Sequence, residues 1–294
     1  MGSAKIVLFV ALGALGLTFL LAWIRALRAR RSAHGSGRPD RWELGVGAVT
    51  NFFDTLGIGS FAPTTSAFKL RGTVRDELIP GTLNVGHTLP VIVQAFVFIV
   101  AVDVGAGTLI SMIAASVAGA CLGAGVVAGM PRRRIQIGMG VALLLAAVFF
   151  AMTNLNLFPG GGEALSLAGG RLGVALAASF ALGALMTLGI GMYAPCMILV
   201  ALLGMNPRAA FPIMMGACAF LMPVAALRFI QRDSYSPRAS LGLAAGGVPA
   251  VLAAAFIVKS LPLALLRWLV VAVVLYTSFT MLRSARREAA APAA

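Results

Sequence analysis

The chain has 294 residues, of which 60% are hydrophobic and only 11% are charged, and its mean hydropathy is +0.97. A soluble domain carries about 25% charged residues, so this composition excludes a soluble globular protein and predicts a polytopic membrane protein. The net charge of +14 does not indicate a nucleic-acid partner, because the basic residues lie between apolar runs, where they set membrane orientation.

The first apolar run, Ile6–Ile24, predicts a retained transmembrane helix. It has neither the basic n-region nor the small-residue cleavage site of a signal peptide. A basic stretch from Arg25 to Arg41 follows it directly and predicts a cytoplasmic loop, with the N-terminus outside. Residues 1–41 therefore form a first unit, which consists of one helix and one basic loop.

An internal repeat organises the rest of the chain. The stretch Thr55-Leu-Gly-Ile-Gly-Ser-Phe-Ala-Pro63 returns as Thr187-Leu-Gly-Ile-Gly-Met-Tyr-Ala-Pro195, with seven of nine positions identical and an offset of 132. The same offset relates Gly72 to Gly204 and Pro80 to Pro212. Each copy interrupts an apolar run with glycines and a proline. Paired interruptions of this kind are the best pointer in a sequence to a transport site.

The distribution of charge predicts that each motif segment is a re-entrant hairpin. The first segment extends from Trp42 to about Lys69 and would turn at Gly57–Pro63, and the second covers Leu172–Leu203. With both segments folded back, all but five of the 23 basic residues lie inside. That bias is lost if the segments cross the membrane. Irregular backbone at membrane depth requires protein or water around it.

Three further transmembrane helices are predicted after each hairpin. In the first half they cover Leu78–Val100, Thr108–Met130 and Ile135–Met152, and in the second half Ala209–Ile230, Ala239–Val258 and Pro262–Leu282. The fold class is thus an all-α polytopic membrane protein, built as an inverted repeat with two broken re-entrant helical hairpins and about seven transmembrane helices. Residues 42–152 form the first repeat, 153–170 an outer loop, and 171–294 the second, inverted repeat with a cytoplasmic tail.

The motif chemistry predicts a small-anion pocket. Glycines let the backbone leave the helix, and a restarting half-helix presents free N–H donors and a positive dipole end. An alternative is that the glycines only allow close helix packing, but repetition of the whole pattern favours the pocket. The predicted substrate-binding residues are Asn51, Thr55, Gly57, Gly59, Ser60, Phe61, Thr64, Thr65, Asn84, Thr88, Thr187, Gly189, Gly191, Tyr193 and Cys196.

Two titratable residues in the first half are candidates for proton coupling or gating. Asp54 is an acid deep in an apolar segment, and intramembrane acids are functional by default. It is either a coupling group or a structural cap. His87 shares a helical face with Asn84 and can titrate near neutral pH. It either takes part in coupling or forms a hydrogen bond between helices.

Neither a metal site nor a cofactor nor an enzymatic activity is expected. The cysteines Cys121, Cys196 and Cys218 lie in apolar context without a Cys/His cluster, and no P-loop, Ser/His/Asp set or HExxH motif is present. Thioethers are soft ligands that can bind Cu(I), but adaptable packing is the favoured role for the second-half methionines. These are Met186, Met192, Met197, Met205, Met214, Met215 and Met222.

From Trp42 onwards the chain resembles the sulfite exporter TauE/SafE family of membrane permeases. The resemblance rests on Gly57-Ile-Gly-Ser-Phe-Ala-Pro63 with Gly72 and Gly81-Thr-Leu83, and on Gly189-Ile-Gly-Met-Tyr-Ala-Pro195 with Gly204 and Met215-Gly-Ala217. The second copy departs from the family pattern at Met192 and at Gly216-Ala-Cys218, which leaves open which half provides most of the anion donors.

The resemblance implies export of sulfite or a related organosulfonate across the bacterial cytoplasmic (inner) membrane, by alternating access. The C-terminus is expected in the cytoplasm. The expected partners are the small anionic substrate and membrane lipid, and the resemblance leaves homo-oligomer formation open. An anion channel and a non-transporting membrane partner protein are the competing interpretations, although a scaffold has no need of two polar interruptions within the membrane.

Overall fold

The computed structural model describes residues 3–34, 38–56, 58–99, 104–158, 160–189, 191–257 and 263–290, and these are almost entirely α-helical. Within these ranges the α-helices are α1 (Ser3–His34), α2 (Arg41–Thr55), α3 (Phe61–Arg71), α4 (Ile79–Phe98), α5 (Ala106–Val127), α6 (Arg132–Asn154), α7 (Gly169–Met186), α8 (Tyr193–Leu202), α9 (Ala210–Gln231), α10 (Pro237–Ile257) and α11 (Leu263–Ala290). Single 3-10 turns at Asp76–Leu78 and Pro207–Ala209 precede α4 and α9.

Six segments in the described part of the chain are long and apolar enough to cross a membrane. They are Ile6–Ala29, Ala106–Val127, Arg132–Asn154, Gly169–Met186, Pro207–Gln231 and Pro237–Ala255. Large apolar side chains on several of them, such as Leu122, Val141 and Val174, are exposed, as expected for surfaces that face lipid. The prediction of an all-α membrane protein is confirmed in this coarse form.

The first helix is longer than the sequence predicted. The basic stretch after Ile24 was expected to form a loop, but α1 continues to His34. Arginine, alanine and leucine, which make up most of this stretch, are strong helix formers and extend the apolar helix beyond its hydrophobic part.

Both motif segments are interrupted helices. The first interruption separates Thr55, the last residue of α2, from Phe61, the first of α3. The second separates Met186 from Tyr193, the first residue of α8, which is also the repeat equivalent of Phe61. Each short helix is followed within two residues by a glycine in the left-handed region, Gly72 (φ 64°) after α3 and Gly204 (φ 80°) after α8, where a β-carbon would be strained.

Contacts between loops and helix termini define two ends of the helix bundle. At what we call the basic end, Asp40 accepts a hydrogen bond from Arg238 (2.7 Å), and the Ser236 N–H donates to Thr82 (2.9 Å). Ser234, two residues before Ser236, donates to the carbonyl of Ala128 (3.0 Å).

Asp76 is the centre of the polar contacts of α3 and α6 at the basic end. Its carboxylate accepts from Lys69 (2.6 Å) at the end of α3 and from Gln136 (2.8 Å) in α6. Arg132, at the start of α6, lies 3.8 Å from Asp76 and 4.0 Å from Glu288 of α11. The start of α4, which follows Asp76 directly, therefore lies with these residues.

The loop that precedes α7 lies at the opposite end of the bundle. Leu167 donates to the Thr108 hydroxyl (2.9 Å) near the start of α5. The turn after α8 contacts the same loop, because Asn206 donates to the carbonyl of Ala164 (2.8 Å) and Gly162 donates to that of Met205 (3.0 Å).

The start of α2 carries a capping box. The Glu43 N–H donates to the Asp40 carboxylate (2.8 Å), and the Asp40 N–H donates to the Glu43 carboxylate (2.9 Å). The hydrogen bond from the Glu43 N–H holds the pKa of Asp40 below its usual value, with a further contribution from the positive charge of Arg238. The box sets where α2 begins and attaches it to the start of α10.

Two helix pairs approach closely through glycines. In the pair of α2 and α10, a β-carbon on Gly246 would lie 2.1 Å from the carbonyl oxygen of Leu44. In the pair of α5 and α7, a β-carbon on Gly119 would lie 1.9 Å from the Phe180 oxygen, and one on Gly183 2.1 Å from the Ser116 oxygen. Small residues allow such backbone approach between membrane helices.

Helices α4 and α9 pack on each other and are the most buried part of the bundle.

Candidate functional site

A small cavity of about 50 Å³ lies between the two helix interruptions. Both motif segments and the two buried helices α4 and α9 line it. Its walls are formed by Asp54, Gly59, Ser60, Phe61, Val91, Gln94, Met186, Gly191, Met192, Met214, Met215 and Cys218.

Six of the lining residues form three pairs of repeat equivalents. Asp54 corresponds to Met186, Gly59 to Gly191, and Ser60 to Met192, each pair 132 positions apart. The same positions of the two copies thus meet at one cavity. Their chemistry differs, because the first copy brings a carboxylate and a hydroxyl where the second brings two thioethers.

The polar wall of the cavity is organised by Gln94 of α4. Its side-chain amide donates to the Asp54 carboxylate (3.2 Å) and to the Thr55 hydroxyl (3.1 Å). Thr55 in turn donates to the Asn51 carbonyl of its own helix (2.8 Å). Asp54 is therefore held at the end of α2 by a neutral donor from another helix, with no cation within ion-pair distance in the part of the chain that the structure describes.

A second polar cluster surrounds His87 and joins three helices. Its Nδ1 lies 3.0 Å from the Asn51 amide oxygen of α2, and its Nε2 lies 3.1 Å from the Thr64 hydroxyl of α3. Thr64 also contacts the Thr50 hydroxyl (3.1 Å), which donates to the carbonyl of Val46 (2.7 Å). The imidazole ring lies against Phe61, which lines the cavity, with 5.7 Å between ring centroids.

The wall opposite Asp54 and Ser60, which we call the sulfur wall, is lined by sulfur-containing side chains. The Cys218 thiol of α9 lies 3.7 Å from the Met186 sulfur and 4.0 Å from the Met192 sulfur, and Met214 and Met215 line the same wall. All five of these side chains are buried. The cavity therefore has a hard, oxygen-rich side from the first half and a soft side from the second.

The structure brings only some of the predicted site residues to this cavity. Among the predicted residues, those that line it are Asp54, Gly59, Ser60, Phe61 and Gly191. Gly57 lies outside the described residues. Tyr193 begins α8, but its side chain is likewise outside the described part.

The other predicted residues lie within the surrounding protein. Asn51, Thr55, Thr64 and His87 belong to the two polar clusters described above. Thr65 and Cys196 are buried in α3 and α8 without lining the cavity, and the Thr65 hydroxyl has no partner among the described residues.

A further group of predicted residues links the two halves beside the cavity. Asn84 donates to the carbonyls of Pro80 (2.9 Å) and Thr187 (3.4 Å), so it connects α4 to the second motif. Thr88 donates to the Asn84 carbonyl (2.5 Å), and Thr187 donates to the carbonyl of Ala184 (2.7 Å). Gly189 takes a left-handed φ of 109° beside Met139.

Seven lining residues were not among the predicted site residues. They are Val91, Gln94, Met186, Met192, Met214, Met215 and Cys218. The repeat itself carries a signal for two of them, because Met186 and Met192 occupy the positions of Asp54 and Ser60 in the second copy. Gln94, Met214, Met215 and Cys218 reach the cavity only through the packing of α4 and α9.

Among the described residues, no group of three or more His, Cys, Asp or Glu side chains is arranged to hold a metal ion. No family model, no curated protein and no solved structure matches the chain, so the resemblance to the sulfite exporter family stays a prediction.

Proposed function

We propose that the protein is a secondary transporter that exports a small sulfur oxyanion, sulfite or a related organosulfonate, across the bacterial cytoplasmic membrane by alternating access. The observation that carries the proposal is the cavity at which three pairs of repeat-equivalent positions meet. A binding site at the interface of two repeats, formed by discontinuous helices, is typical of secondary transporters.

The contacts at the two ends support an inverted arrangement of the repeats. The segment α2–α3 begins beside Arg238 and returns to Asp76, both at the basic end. The segment α7–α8 begins beside Thr108 and returns to Ala164, both at the opposite end. Two re-entrant hairpins that enter from opposite faces account for this pattern.

The helix pairs support the same arrangement. Under the repeat, α2 and α10 correspond to α7 and α5, and both pairs are close-packed through glycines. In the same way, the contact of α4 with α10 corresponds to the contact of α9 with α5. The repeat exchanges α4 with α9 and α6 with α11, so the contacts within these two pairs are each converted into themselves. This exchange of partners is what a two-fold relation between the halves requires.

The lengths of the short helices favour a cavity near the middle of the membrane. Helix α3 has 11 residues and α8 has 10, so each is about 15–17 Å long. That is about half of the 30 Å hydrocarbon core. Since α3 ends at the basic end and α8 at the opposite end, their N-termini would meet near the midplane.

The helix N-termini at the cavity suit an anion. Among the residues that the structure describes, no side chain caps the N-terminus of α3 or α8, so main-chain N–H groups beside Ser60 and Met192 have no helical partner. Asp54 opposes an anion while it is charged. In the proposed mechanism Asp54 therefore takes up a proton when the anion binds, and the carboxylic acid then donates rather than repels.

His87 has a supporting role in this mechanism. It holds the ends of α2 and α3 on α4 through Asn51 and Thr64, and its ring supports Phe61 at the cavity wall. A change of protonation at His87 would alter bonds to both arms of the first hairpin. That position is consistent with a gating group.

Flux into vesicles tests the proposal. The purified protein is reconstituted and uptake of radiolabelled sulfite is followed with and without a pH gradient. We expect gradient-driven uptake by the wild type and strong loss of it in Asp54→Asn, with counterflow exchange retained because the neutral amide mimics the protonated acid. Glu163→Gln, which neutralises an exposed acid outside the cavity, is the matched control and should leave flux unchanged.

Two outcomes would contradict the proposal. Absence of flux with sulfite, thiosulfate and sulfoacetate would remove the substrate class. Failure of trans substrate to accelerate uptake would indicate an anion channel rather than a carrier.

A further inference from the structure

The sulfur wall of the cavity presents thiol and thioether groups that can act as metal ligands. In the first half, the positions equivalent to Met186 and Met192 carry Asp54 and Ser60, which face the same cavity. These positions therefore line the cavity in both copies, and Met186 and Met192 also pack in the buried core. Cys218 and two further methionines reach the same wall from α9. Together they form a buried cluster of soft donors beside a carboxylate.

We propose that Cys218, Met186 and Met192 form a binding site for a soft monovalent metal ion, Cu(I) or Ag(I). The site goes beyond the proposed anion transport and does not depend on it. Thiol and thioether sulfur are the ligands that select Cu(I) over harder cations.

The distances from the Cys218 sulfur to the two methionine sulfurs fit one shared ion. Metal–sulfur bonds are about 2.3 Å long for a first-row metal, so three sulfurs in a trigonal arrangement lie about 4.0 Å apart. The distances from Cys218 to Met186 and Met192 are 3.7 and 4.0 Å. Each methionine sulfur can therefore share an ion with Cys218 near its present position. Met214 and Met215 line the same wall.

Charge favours a monovalent ion. When the metal binds, the Cys218 S–H bond breaks, a metal–sulfur bond forms and the proton leaves, so the wall remains neutral. The Asp54 carboxylate across the cavity can accept that proton. A divalent ion would leave one positive charge on the sulfur ligands, and Asp54 could not both accept the thiol proton and compensate that charge.

Silver titration of the purified, reduced full-length protein tests the site, because Ag(I) is stable to oxidation. Calorimetry is carried out in a Cys121→Ser background, because the half-exposed Cys121 thiol would itself bind Ag(I), and should give one tight ion per chain. In that background Cys218→Ser should weaken binding by at least about tenfold, and Met186→Leu and Met192→Leu, which keep side-chain volume, should each weaken it similarly. Met281→Leu, which changes a sulfur away from the cavity, is the matched control and should leave binding unchanged.

A second measurement needs no variant. X-ray absorption of the Cu(I)-loaded wild type should show a first shell of sulfur alone. An identical Ag(I) isotherm in Cys218→Ser, or a shell of nitrogen and oxygen, would overturn the proposal. Sulfite flux is measured in metal-free vesicles, so its absence would count against the transport proposal and leave the metal result unaffected.

Discussion

At the scale of single residues, each ring nitrogen of His87 has a hydrogen-bonding partner on another helix. Asn51 and Thr64 contact its two nitrogens at 3.0 and 3.1 Å, and all three residues are buried. A buried polar group that loses its partner costs about 1–3 kcal/mol, whereas removal of both partners costs less than the sum. The free energy of unfolding can therefore show whether these residues act as a unit.

We expect Asn51→Ala and His87→Ala each to lower the free energy of unfolding by about 1–3 kcal/mol. The double variant should lose less than the sum, with a coupling of about 0.5–3 kcal/mol. Equilibrium unfolding in mixed micelles measures all three variants. As a control pair, His87→Ala and Thr153→Ala should be additive within about 0.5 kcal/mol, because the Thr153 hydroxyl donates to the Phe149 carbonyl of its own helix and to no other described residue. Additivity of Asn51 with His87 would show that the contact does not contribute to stability.

Sequence reasoning identified the polar half of the site more readily than the sulfur half. Asp54 and His87 are conspicuous because ionisable groups are rare and costly in apolar segments. Met186 and Met192 are apolar in composition, so their pattern does not distinguish a cavity wall from packed core. Only the distances between Cys218 and these two sulfurs show that they share a wall.

At the scale of helices, the glycines decide which elements lie together. Helix α5 offers a matched comparison within one helix. A β-carbon on Gly119 would lie 1.9 Å from the Phe180 oxygen of α7, whereas one on Gly125 meets nothing within 4 Å. The contact of α5 with α7 therefore depends on Gly119 and not on the flexibility of glycine in general.

We expect Gly119→Ala to lower the free energy of unfolding by about 1–3 kcal/mol or more, because α7 must move away to admit the methyl group. Gly125→Ala should raise it by up to about 1 kcal/mol, since alanine is the better helix former. Thermal unfolding of both variants in the same detergent compares them. Equal effects of the two substitutions would contradict the close approach at Gly119.

The helix interruptions could be predicted from the sequence, but the helix pairs could not. Glycines and a proline at fixed spacing indicate where α2 and α7 end, since these residues break helices. The pairing of α2 with α10 has no comparable signal. With 34 glycines in the chain, small residues occur on almost every helix, and the surfaces that face lipid are as apolar as those that face protein. Gln94 therefore meets Asp54 only because α4 packs beside α2.

At the scale of the whole molecule, the contacts at the two ends predict which residues lie on the same side of the membrane. Arg71 ends α3 and Arg232 follows α9, and both are exposed at the basic end. Gly160 is exposed in the loop at the opposite end. Because most basic residues gather at the basic end, that end should face the cytoplasm.

We expect an impermeant thiol reagent applied to intact cells to label Gly160→Cys and neither Arg71→Cys nor Arg232→Cys, in a background with the three native cysteines replaced by serine. Permeabilised cells should show labelling at all three positions. The pair of arginine positions tests the second hairpin independently of orientation, because α7–α8 lies between them in the chain. If α7–α8 crossed the membrane, Arg71→Cys and Arg232→Cys would be labelled from different sides. The inverted repeat, and with it the meeting of the two motifs at one cavity, would then be wrong.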